Sequence, residues 1–340
     1  MNIVFRVNSS NLEGSGHFYR CLVLARYLKN KAKIIFISDY LNKDLKEKIN
    51  AEKFRLFILK KKNIKKNYEN IDAFQTASIL KNLKLTIHLI VVDSYMLGEF
   101  WEKSLRKLCQ KIMVIDDIKR VHDCDIYLNQ NIFINSNTHK LLPAHSIKLM
   151  GPRYCIINTK YNKKKFIKKN YNFKNILIFM GGADRLNLTS KILKIISRFK
   201  NKNFFLRVVL GVENKKFNKT KYKKIYKNKI KFYKNLSTLD KVILKSQIAI
   251  SSGGSVLWHF ISMRLPSVVI NQADNQIQNS KYLNKLGLIK LFNAHFNNNS
   301  LEKFLIKNIF ENKKKFNISN KFSNLFDNKG LKRIANVILS

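Results

Sequence analysis

The residue best placed to do chemistry is a histidine that directly follows a glycine-rich loop. Gly14-Ser15-Gly16-His17 lies between an apolar run with strand character and an amphipathic run with helix character. Glycine lets the backbone approach a ligand closely, and the positive end of the helix dipole favours the neutral imidazole. Because a neutral imidazole accepts a proton, the loop indicates a general base. The alternative is a glycine-rich turn whose histidine only caps the helix.

A second loop has the composition of a phosphate site. Ser251-Ser252-Gly253-Gly254-Ser255 follows an apolar run and precedes a helix-like segment. Backbone N–H groups and hydroxyls at such a junction bind anions. No Gly-Lys-Ser/Thr follows, so the loop is not a Walker motif. We predict that Ser252–Ser255 binds phosphate. The alternative is a plain turn in which Ser255 is the helix N-cap.

A third loop also ends an apolar run and opens a helix-like segment, Gly181-Gly182-Ala183-Asp184. Its glycines suit close contact with a ligand. Gly181, Gly182 and Asp184 are therefore predicted to bind substrate. The alternative is a tight turn in which Asp184 or Asn187 caps the helix.

A fourth, polar run follows the apolar residues 267–270, Asn271-Gln272-Ala273-Asp274-Asn275-Gln276. Its amides and its carboxylate can hydrogen-bond a sugar or a diphosphate. Asn275 and Gln276 are predicted substrate contacts, against the alternative of an ordinary polar loop in an asparagine-rich chain.

Acidic residues follow two apolar runs in the first half of the chain. Asp93-Ser94-Tyr95 follows residues 88–92, and Asp116-Asp117 follows residues 111–115. Carboxylates in such positions can orient a sugar or a histidine, and helix caps or surface acids are the alternative. Neither a partner pattern nor metal-ligand spacing is found for the other histidines, His88, His122, His139, His145 and His295. We therefore expect no bound metal.

These clusters fall where strands would meet helices. Short apolar runs alternate with amphipathic segments, which predicts parallel sheets covered by helices. The predicted strands are residues 2–7, 33–38, 88–92, 111–115, 175–180, 204–210, 230–232, 248–251 and 267–270. The predicted helices are residues 17–28, 100–109, 188–199, 255–263, 275–286 and 301–310. The pattern restarts after a charged stretch at 163–169, so we predict two Rossmann-like domains, residues 1–160 and 161–340.

The net charge of +45 arises from 66 lysines and arginines against 21 acidic residues. Only 12 of these basic residues are arginine, and the lysines lie in scattered short runs. No zinc-finger spacing or RNP motif is present, so any binding of nucleic acid should be sequence-blind and salt-sensitive.

The four cysteines form no C-x-x-C pair and are expected to be buried thiols. Without a signal-peptide pattern or an apolar run near 18 residues, the sequence predicts a cytoplasmic protein without stable membrane insertion.

Taken together and in this order, the clusters resemble one enzyme family, the UDP-2,4-diacetamido-2,4,6-trideoxy-β-L-altropyranose hydrolases of pseudaminic acid biosynthesis. The glycine–histidine loop followed by Arg20 is the most specific element of the resemblance. The matching motifs are Phe5-Arg6-Val7-Asn8-Ser9-Ser10, Gly14-Ser15-Gly16-His17-Phe18-Tyr19-Arg20, Asp93-Ser94-Tyr95, Asp116-Asp117, Cys124-Asp125, Leu128-Asn129-Gln130-Asn131, Gly181-Gly182-Ala183-Asp184 and Ser251–Ser255.

The resemblance implies an α/β protein with two Rossmann-like domains in a GT-B-like arrangement and an interdomain cleft. It implies that UDP binds the second domain, that the sugar faces the first, and that water attacks the anomeric carbon with inversion. His17 would be the catalytic residue, and neither a metal nor another cofactor would be needed. Further substrate contacts are implied for the residues Arg6, Asn8, Gly14, Gly16, Arg20, Asp93, Tyr95 and Asn131.

Two positions depart from the family's pattern. Asn8 replaces the aspartate of an early Arg-x-Asp-x-Ser motif. His259 lies where the family tends to have a glutamate that holds the ribose hydroxyls, and it is an implied substrate contact here. An amide or a neutral imidazole can still hydrogen-bond, but neither carries charge.

Two other functions stay open at this stage. The first is a GT-B glycosyltransferase, in which His17 would deprotonate an acceptor hydroxyl instead of water. The second is a nucleic-acid-binding protein that uses its charge alone.

Overall fold

The computed structural model divides the chain into two compact units, residues 1–158 with 329–340 and residues 159–328. The residues that the structure describes are 1–9, 14–60, 67–132, 136–157, 174–199, 203–211, 214, 217–236, 238–292, 298–307 and 326–340. The prediction that the second domain extends to residue 340 is wrong, because the C-terminal helix packs with the first unit. The predicted boundary at 160/161 lies outside the described residues.

The first unit is built on a seven-stranded sheet whose neighbouring strands are all parallel. The strands are β1 (Asn2–Val7), β2 (Lys33–Ser38), β3 (Arg55–Ile58), β4 (Leu89–Asp93), β5 (Lys111–Ile115), β6 (Ile126–Asn129) and β7 (Ile147–Met150). Their order is β3-β2-β1-β4-β5-β6-β7. The winding therefore reverses between β1 and β4, where Val7 pairs with Asp93. In open α/β sheets, ligands bind beyond the strand ends at this switch point.

Helices cover both faces of this sheet, as a parallel sheet requires. They are α1 (Gly16–Leu28), α2 (Lys43–Ala51), α3 (Tyr68–Asn82), α4 (Glu99–Leu105) and α11 (Gly330–Leu339). α1 buries residues at helical spacing, and its Phe18 packs against Phe36 of β2. Trp101 of α4 is buried in a separate cluster with Ile90 and Val92 of β4. α11 contacts α1.

The second unit repeats the design with a six-stranded parallel sheet in the order β10-β9-β8-β11-β12-β13. The strands are β8 (Asn175–Phe179), β9 (Phe205–Leu210), β10 (Ile230–Lys234), β11 (Ile248–Ser251), β12 (Ser267–Ile270) and β13 (Lys290–Phe292). The helices are α5 (Leu188–Ser197), α6 (Lys219–Tyr226), α7 (Asp240–Leu244), α8 (Val256–Ser262), α9 (Ile277–Lys285) and α10 (Asn298–Leu305). Here the switch point lies between β8 and β11, where Phe179 pairs with Ser251.

The prediction of two parallel-sheet α/β domains is confirmed. Five strands match the predicted residues, 2–7, 33–38, 111–115, 248–251 and 267–270. Four further strands, β3, β6, β7 and β13, were not predicted from the sequence. Of the predicted helix 100–109, the α-helical part ends at Leu105, and a short 3₁₀ helix follows it. The end of the predicted helix 301–310 lies outside the described residues.

Three of the four cysteines are buried free thiols, as expected, whereas Cys109 is only partly buried. In the part of the chain that the structure describes, no helix combines the length and the apolar character needed to span a membrane.

Candidate functional site

A histidine, an arginine and an aspartate meet at the switch point of the first sheet. His17 and Arg20 lie in the first two turns of α1, and Asp93 is the last residue of β4. His17 Nδ1 contacts Asp93 Oδ1. Arg20 donates from Nε to Asp93 Oδ2 at 2.6 Å and from Nη2 to Asp93 Oδ1 at 2.5 Å. All three side chains are buried. The parallel pairing of β1 with β4 brings them together across 76 positions of sequence.

The charge of Asp93 determines which nitrogen of His17 can accept a proton. Burial alone would raise the pKa of Asp93, but Arg20 and His17 outweigh it and hold that pKa well below its usual range. Arg20 Nη2 also lies 3.1 Å from His17 Nδ1, but an ionised carboxylate only accepts hydrogen bonds, so the closer contact with Asp93 favours Nδ1 as the donor. Nε2 is then the nitrogen that accepts a proton, and Asp93 stabilises the resulting imidazolium.

Arg20 balances the charge of this cluster. Burial opposes its charged form, but Asp93 raises the pKa of Arg20 by more. The charges of Arg20 and Asp93 cancel, so the cluster is neutral overall while His17 is neutral. The two hydrogen bonds between Arg20 and Asp93 offset part of the cost of burying two charges. Because Nε and Nη2 of Arg20 are engaged with Asp93, a direct contact between Arg20 and substrate stays a prediction.

Tyr95 lies against the imidazole of His17. The two ring centroids are 4.5 Å apart and the ring planes meet at 89°. The Tyr95 hydroxyl donates to Asp117 Oδ1 at 2.7 Å. The backbone N–H of Asp117 donates in turn to Asp116 Oδ1 at 2.6 Å. The structure thus brings the two predicted acidic clusters to one edge of the first sheet, next to the predicted base.

Arg6 and Asn8 belong to a neighbouring buried network. Arg6 forms a two-pronged ion pair with Asp72 and donates to Asn8 Oδ1 at 2.5 Å. Asn8 Nδ2 donates to the Tyr68 hydroxyl at 2.9 Å, and that hydroxyl donates to Asp39 at 2.7 Å. Arg6 is fully buried, so its part in this structure is to position Asn8 and α3. A direct substrate contact by Arg6 or Asn8 stays a prediction.

The two glycines before His17 differ in their surroundings. Gly14 has a φ of +76° and open space where a Cβ would lie, which suits close approach of a ligand. Gly16 is the first residue of α1.

Asn131 follows β6, two strands away from β4, and its N–H donates to Asn129 Oδ1 at 3.0 Å. The structure does not bring Asn131 into the His17 cluster, and its role stays a prediction.

In the second unit, the loops after β8, β11 and β12 lie together at the switch point. A Cβ on Gly181 would lie 3.3 Å from Ser252 Oγ. Gln272 Nε2 donates to the carbonyl of Met180 at 2.7 Å, and Gln276 Oε1 accepts from the N–H of Gln272 at 3.0 Å. Three of the four predicted loops therefore form one surface.

Gly253 and Gly254 are glycines for different reasons. A Cβ on Gly253 would lie 2.2 Å from Asn271 Oδ1 and 2.7 Å from Ser280 Oγ, so no side chain fits there. Near Gly254 the first atom is Gln276 Nε2, at 3.9 Å. No backbone carbonyl among the described residues accepts from the N–H groups of Gly253 and Gly254. Backbone N–H groups without a backbone partner, together with open space at the Cβ position of Gly254, suit an anion site.

The predicted residues around this loop have distinct positions. Asp184 accepts from the N–H groups of Leu188 at 2.8 Å and Thr189 at 3.1 Å, so it caps α5, which is the structural alternative considered for it. Ser255 occupies the N-cap position of α8 without a side-chain cap bond. Asn275 and Gln276 lie half-buried in the short 3₁₀ helix before α9. Substrate contacts by these residues stay predictions.

His259 lies one turn after Ser255 on α8. Burial lowers the pKa of His259 to about 4, so its imidazole is neutral at pH 7. Nδ1 has no hydrogen-bond partner among the described residues, although Asp240 Oδ1 is 3.9 Å away. About 21% of the side chain is exposed. A neutral and partly exposed imidazole can hydrogen-bond a ligand hydroxyl, and that role for His259 stays a prediction.

His122, for which the sequence shows no partner pattern, has two carboxylate partners in the structure. Its Nδ1 lies 2.8 Å from Glu102 Oε1 and its Nε2 lies 3.2 Å from Asp116 Oδ2. Burial opposes the charged form, but the two carboxylates raise the pKa of His122 to about 9. The partners are 20 and 6 residues away in sequence, on α4 and just after β5, so no local spacing could reveal them.

We expect the stability of the first unit to depend on pH through His122. Its folded-state pKa is raised from 6.5 to about 9, so its contribution is fully present below pH 6.5 and is lost as the pH rises through 9. His122→Gln should lower the free energy of unfolding at pH 6 by about 3 kcal/mol more than at pH 10. Urea unfolding, followed by Trp101 fluorescence in a Trp258→Phe background, measures this.

The matched control for this prediction is His145→Gln, which changes a histidine whose side chain is 61% exposed. It should leave the free energy of unfolding nearly unchanged at both pH values. A difference between wild type and His122→Gln that stays constant from pH 6 to pH 10 contradicts the charged state of His122.

Within the described residues, no group of three or more histidine, cysteine, aspartate or glutamate side chains is arranged to hold a metal ion.

In sequence, this chain is similar to a known domain family and to known proteins. Residues 175–336 match the glycosyltransferase family 28 C-terminal domain. An uncharacterized protein of Methanocaldococcus jannaschii is 29% identical over 311 residues, which are 87% of this chain and 60% of that protein. The chain thus spans less than two thirds of that relative. A UDP-2,4-diacetamido-2,4,6-trideoxy-β-L-altropyranose hydrolase of Campylobacter jejuni is 25% identical over 84% of this chain and 97% of its own length.

Solved structures with this fold include one that contains UDP. The MurG structure of Acinetobacter baumannii superimposes with a TM-score of 0.68 at 12% identity, over 99% of both chains. MnaA of S. aureus, solved with UDP, gives a TM-score of 0.64 at 12% identity, over 99% of this chain and 95% of its own. The fold of this chain is therefore two parallel-sheet α/β domains of the type found in GT-B glycosyltransferases, and in sequence the chain resembles the UDP-2,4-diacetamido-2,4,6-trideoxy-β-L-altropyranose hydrolases.

Proposed function

We propose that this protein is an inverting hydrolase that removes UDP from a UDP-diacetamido-trideoxyhexose. The observation that carries the proposal is the buried His17–Asp93–Arg20 cluster at the switch point of the first sheet. It supplies a histidine with a fixed tautomer at the edge where such sheets bind ligands. The sequence resemblance to a named UDP-sugar hydrolase adds the substrate class.

In the proposed reaction, His17 Nε2 takes a proton from water as the water oxygen attacks the anomeric carbon. The new C–O bond forms as the bond from that carbon to the UDP oxygen breaks, and the electron pair leaves with UDP. Attack from the face opposite to UDP inverts the anomeric configuration. The Asp93 carboxylate then stabilises the imidazolium that forms when His17 takes the proton.

We propose that the second unit binds UDP through the loops after β8 and β11. The N–H groups of Gly253 and Gly254, with open space at the Cβ position of Gly254, suit a diphosphate. Donors aimed at developing negative charge on a leaving group are often the largest catalytic contribution. The match to the glycosyltransferase family 28 C-terminal domain, which spans these loops, supports this role.

A glycosyltransferase is the second candidate, because the same domain match and the MurG-like fold also fit an enzyme that transfers the sugar to an acceptor. His17 would then deprotonate an acceptor hydroxyl. The two candidates differ in one requirement, since the hydrolase turns over with water alone and the transferase needs an acceptor.

Gly254→Val should weaken the binding of UDP by at least about tenfold, because the added side chain fills the open space beside the N–H groups. Calorimetry with UDP measures the change. The control is Gly98→Ala in the first unit, where a Cβ meets only ordinary contacts of 3.6 and 3.7 Å. Unchanged affinity of Gly254→Val for UDP removes this loop from the phosphate site.

The proposed function is tested by incubating the protein with several UDP-diacetamido-trideoxyhexoses and following UDP and the sugar by NMR. We expect one of these substrates to yield UDP and a reducing sugar of inverted anomeric configuration without any added acceptor. If none is hydrolysed, or if turnover needs an acceptor, the hydrolase assignment fails.

A further inference from the structure

We propose that Asp117 is a specificity-determining residue that presents Tyr95 to the substrate as a hydrogen-bond acceptor, so that the pair selects a sugar hydroxyl or amide N–H. The inference rests on the proposed function of the His17 site and extends it to a residue that the resemblance does not assign. Its basis is the direction of one hydrogen bond and the way Asp117 is held.

The Tyr95–Asp117 pair lies at the proposed catalytic edge. The Tyr95 ring is in edge contact with the imidazole of His17, with centroids 4.5 Å apart, and the Tyr95 hydroxyl is 2.7 Å from Asp117 Oδ1. Both residues are half-buried. They are therefore near the proposed base and still partly accessible.

Surrounding hydrogen bonds fix Asp117 and the Tyr95 loop relative to each other. The N–H of Asp117 donates to Asp116 Oδ1 at 2.6 Å. Arg120 donates to Asp116 Oδ2 at 2.6 Å and to the carbonyls of Ser94 and Tyr95 at 2.8 and 2.9 Å. One guanidinium thus ties the end of β4 to the end of β5, which holds the Tyr95 hydroxyl against the Asp117 carboxylate.

The direction of the Tyr95 hydrogen bond sets its chemistry. Burial and then the Asp117 charge raise the pKa of Tyr95 well above its usual range, so the phenol keeps its proton. A phenol has one proton, and that proton points to Asp117. Toward any further group, the Tyr95 oxygen can only accept.

An acceptor-only tyrosine beside an acceptor-only carboxylate favours a donor on the ligand. A hydroxyl or an acetamido N–H satisfies such a pair, whereas a carbonyl in that position leaves acceptors facing each other. A site that is built to hydrogen-bond a substrate O–H or N–H strongly rejects analogues that lack that group. Without Asp117, the Tyr95 hydroxyl could rotate and donate, and the selection would be lost.

The test separates sugar binding from turnover by using a His17→Ala background. Calorimetry compares the affinity for UDP with the affinity for the UDP-sugar, with and without Asp117→Ala. We expect Asp117→Ala to weaken UDP-sugar binding by about 10- to 100-fold while UDP binding stays within about twofold. Tyr95→Phe should have a similar effect, and the double variant should lose no more than either single variant. Asp117→Asn, which keeps an acceptor oxygen, should lose less.

A second measurement reports the hydrogen bond itself. The Tyr95 hydroxyl proton should give a slowly exchanging, downfield NMR signal that is absent in Tyr95→Phe and in Asp117→Ala. Asp123→Ala, which removes another half-buried carboxylate of the first unit, is the control and should keep both the signal and the affinity. Equal losses of UDP and UDP-sugar affinity, additive effects of the two variants, or a signal that survives in Asp117→Ala overturn the inference. Failure of wild-type protein to hydrolyse the bound UDP-sugar would instead overturn the proposed function.

Discussion

His17→Ala is expected to lose nearly all turnover while the protein stays folded and still binds UDP. The variant removes the nitrogen that takes the proton from water, and general-base assistance is typically worth about 100- to 10,000-fold. The fold should survive because Asp93 keeps both of its hydrogen bonds from Arg20. Steady-state kinetics with the UDP-sugar and calorimetry with UDP, on the same preparation, measure the two properties.

The control for His17→Ala is His145→Ala, which removes a histidine that is largely exposed and lies outside the cluster. That variant should retain the wild-type rate. If His17→Ala keeps more than about a tenth of the wild-type rate, a base contribution of the usual size is absent and the assignment of His17 is wrong.

Asp93→Asn is expected to lower the turnover rate by a factor on the order of 10,000, since the buried aspartate of a histidine–aspartate pair has an effect of that size. An asparagine can donate to Nδ1, which would turn the imidazole to the tautomer that has its proton on Nε2. It would also leave Arg20 without a charged partner. Breaking one side of a buried ion pair typically costs 3–5 kcal/mol, so the variant should also unfold at lower urea concentrations.

Two comparisons separate chemistry from stability in Asp93→Asn. The double variant with His17→Ala should be no slower than the slower single variant, because the two residues act as one unit. Asp123→Asn, whose partner Arg106 is partly exposed, should have little effect on either property. An Asp93→Asn protein that is fully folded and retains a tenth of the wild-type rate contradicts the orienting role of Asp93.

The sequence was sufficient to place the candidate site residues at strand ends but not to predict the contacts among them. The glycine loops and the apolar runs before them carry local signals, so His17, Asp93 and Ser252–Ser255 could be placed at strand ends. Strand order is not local: only the reversal between β1 and β4 makes Asp93, rather than another strand-end acid, the partner of His17.

Buried ion pairs were the least predictable part. Asp72 lies on the buried side of α3 and meets Arg6 from 66 positions away. His122 meets Glu102 across 20 positions. Neither pair has a spacing that distinguishes it from surface charges, because the contact depends on how a helix packs on the sheet. The same reason explains why α11 was assigned to the second domain although it packs with the first.

The two glycines could not reveal from sequence which of their positions has room beside it. Gly253 and Gly254 are equivalent in sequence, yet a side chain at the first would meet Asn271 and Ser280, and a side chain at the second would enter open space. Asp184 is a similar case, since the same carboxylate suits a ligand contact or a helix cap until the N–H groups of Leu188 and Thr189 are seen to bind it.

The most direct test of the central claim is turnover of the UDP-sugar in ¹⁸O-labelled water, with both products examined by mass spectrometry. If His17 activates water to attack the anomeric carbon, the label appears in the released sugar and the UDP phosphate stays unlabelled, with no acceptor added. Label in the UDP phosphate would mean that the P–O bond breaks, and a strict need for an added acceptor would mean that the sugar is transferred; either result contradicts the account.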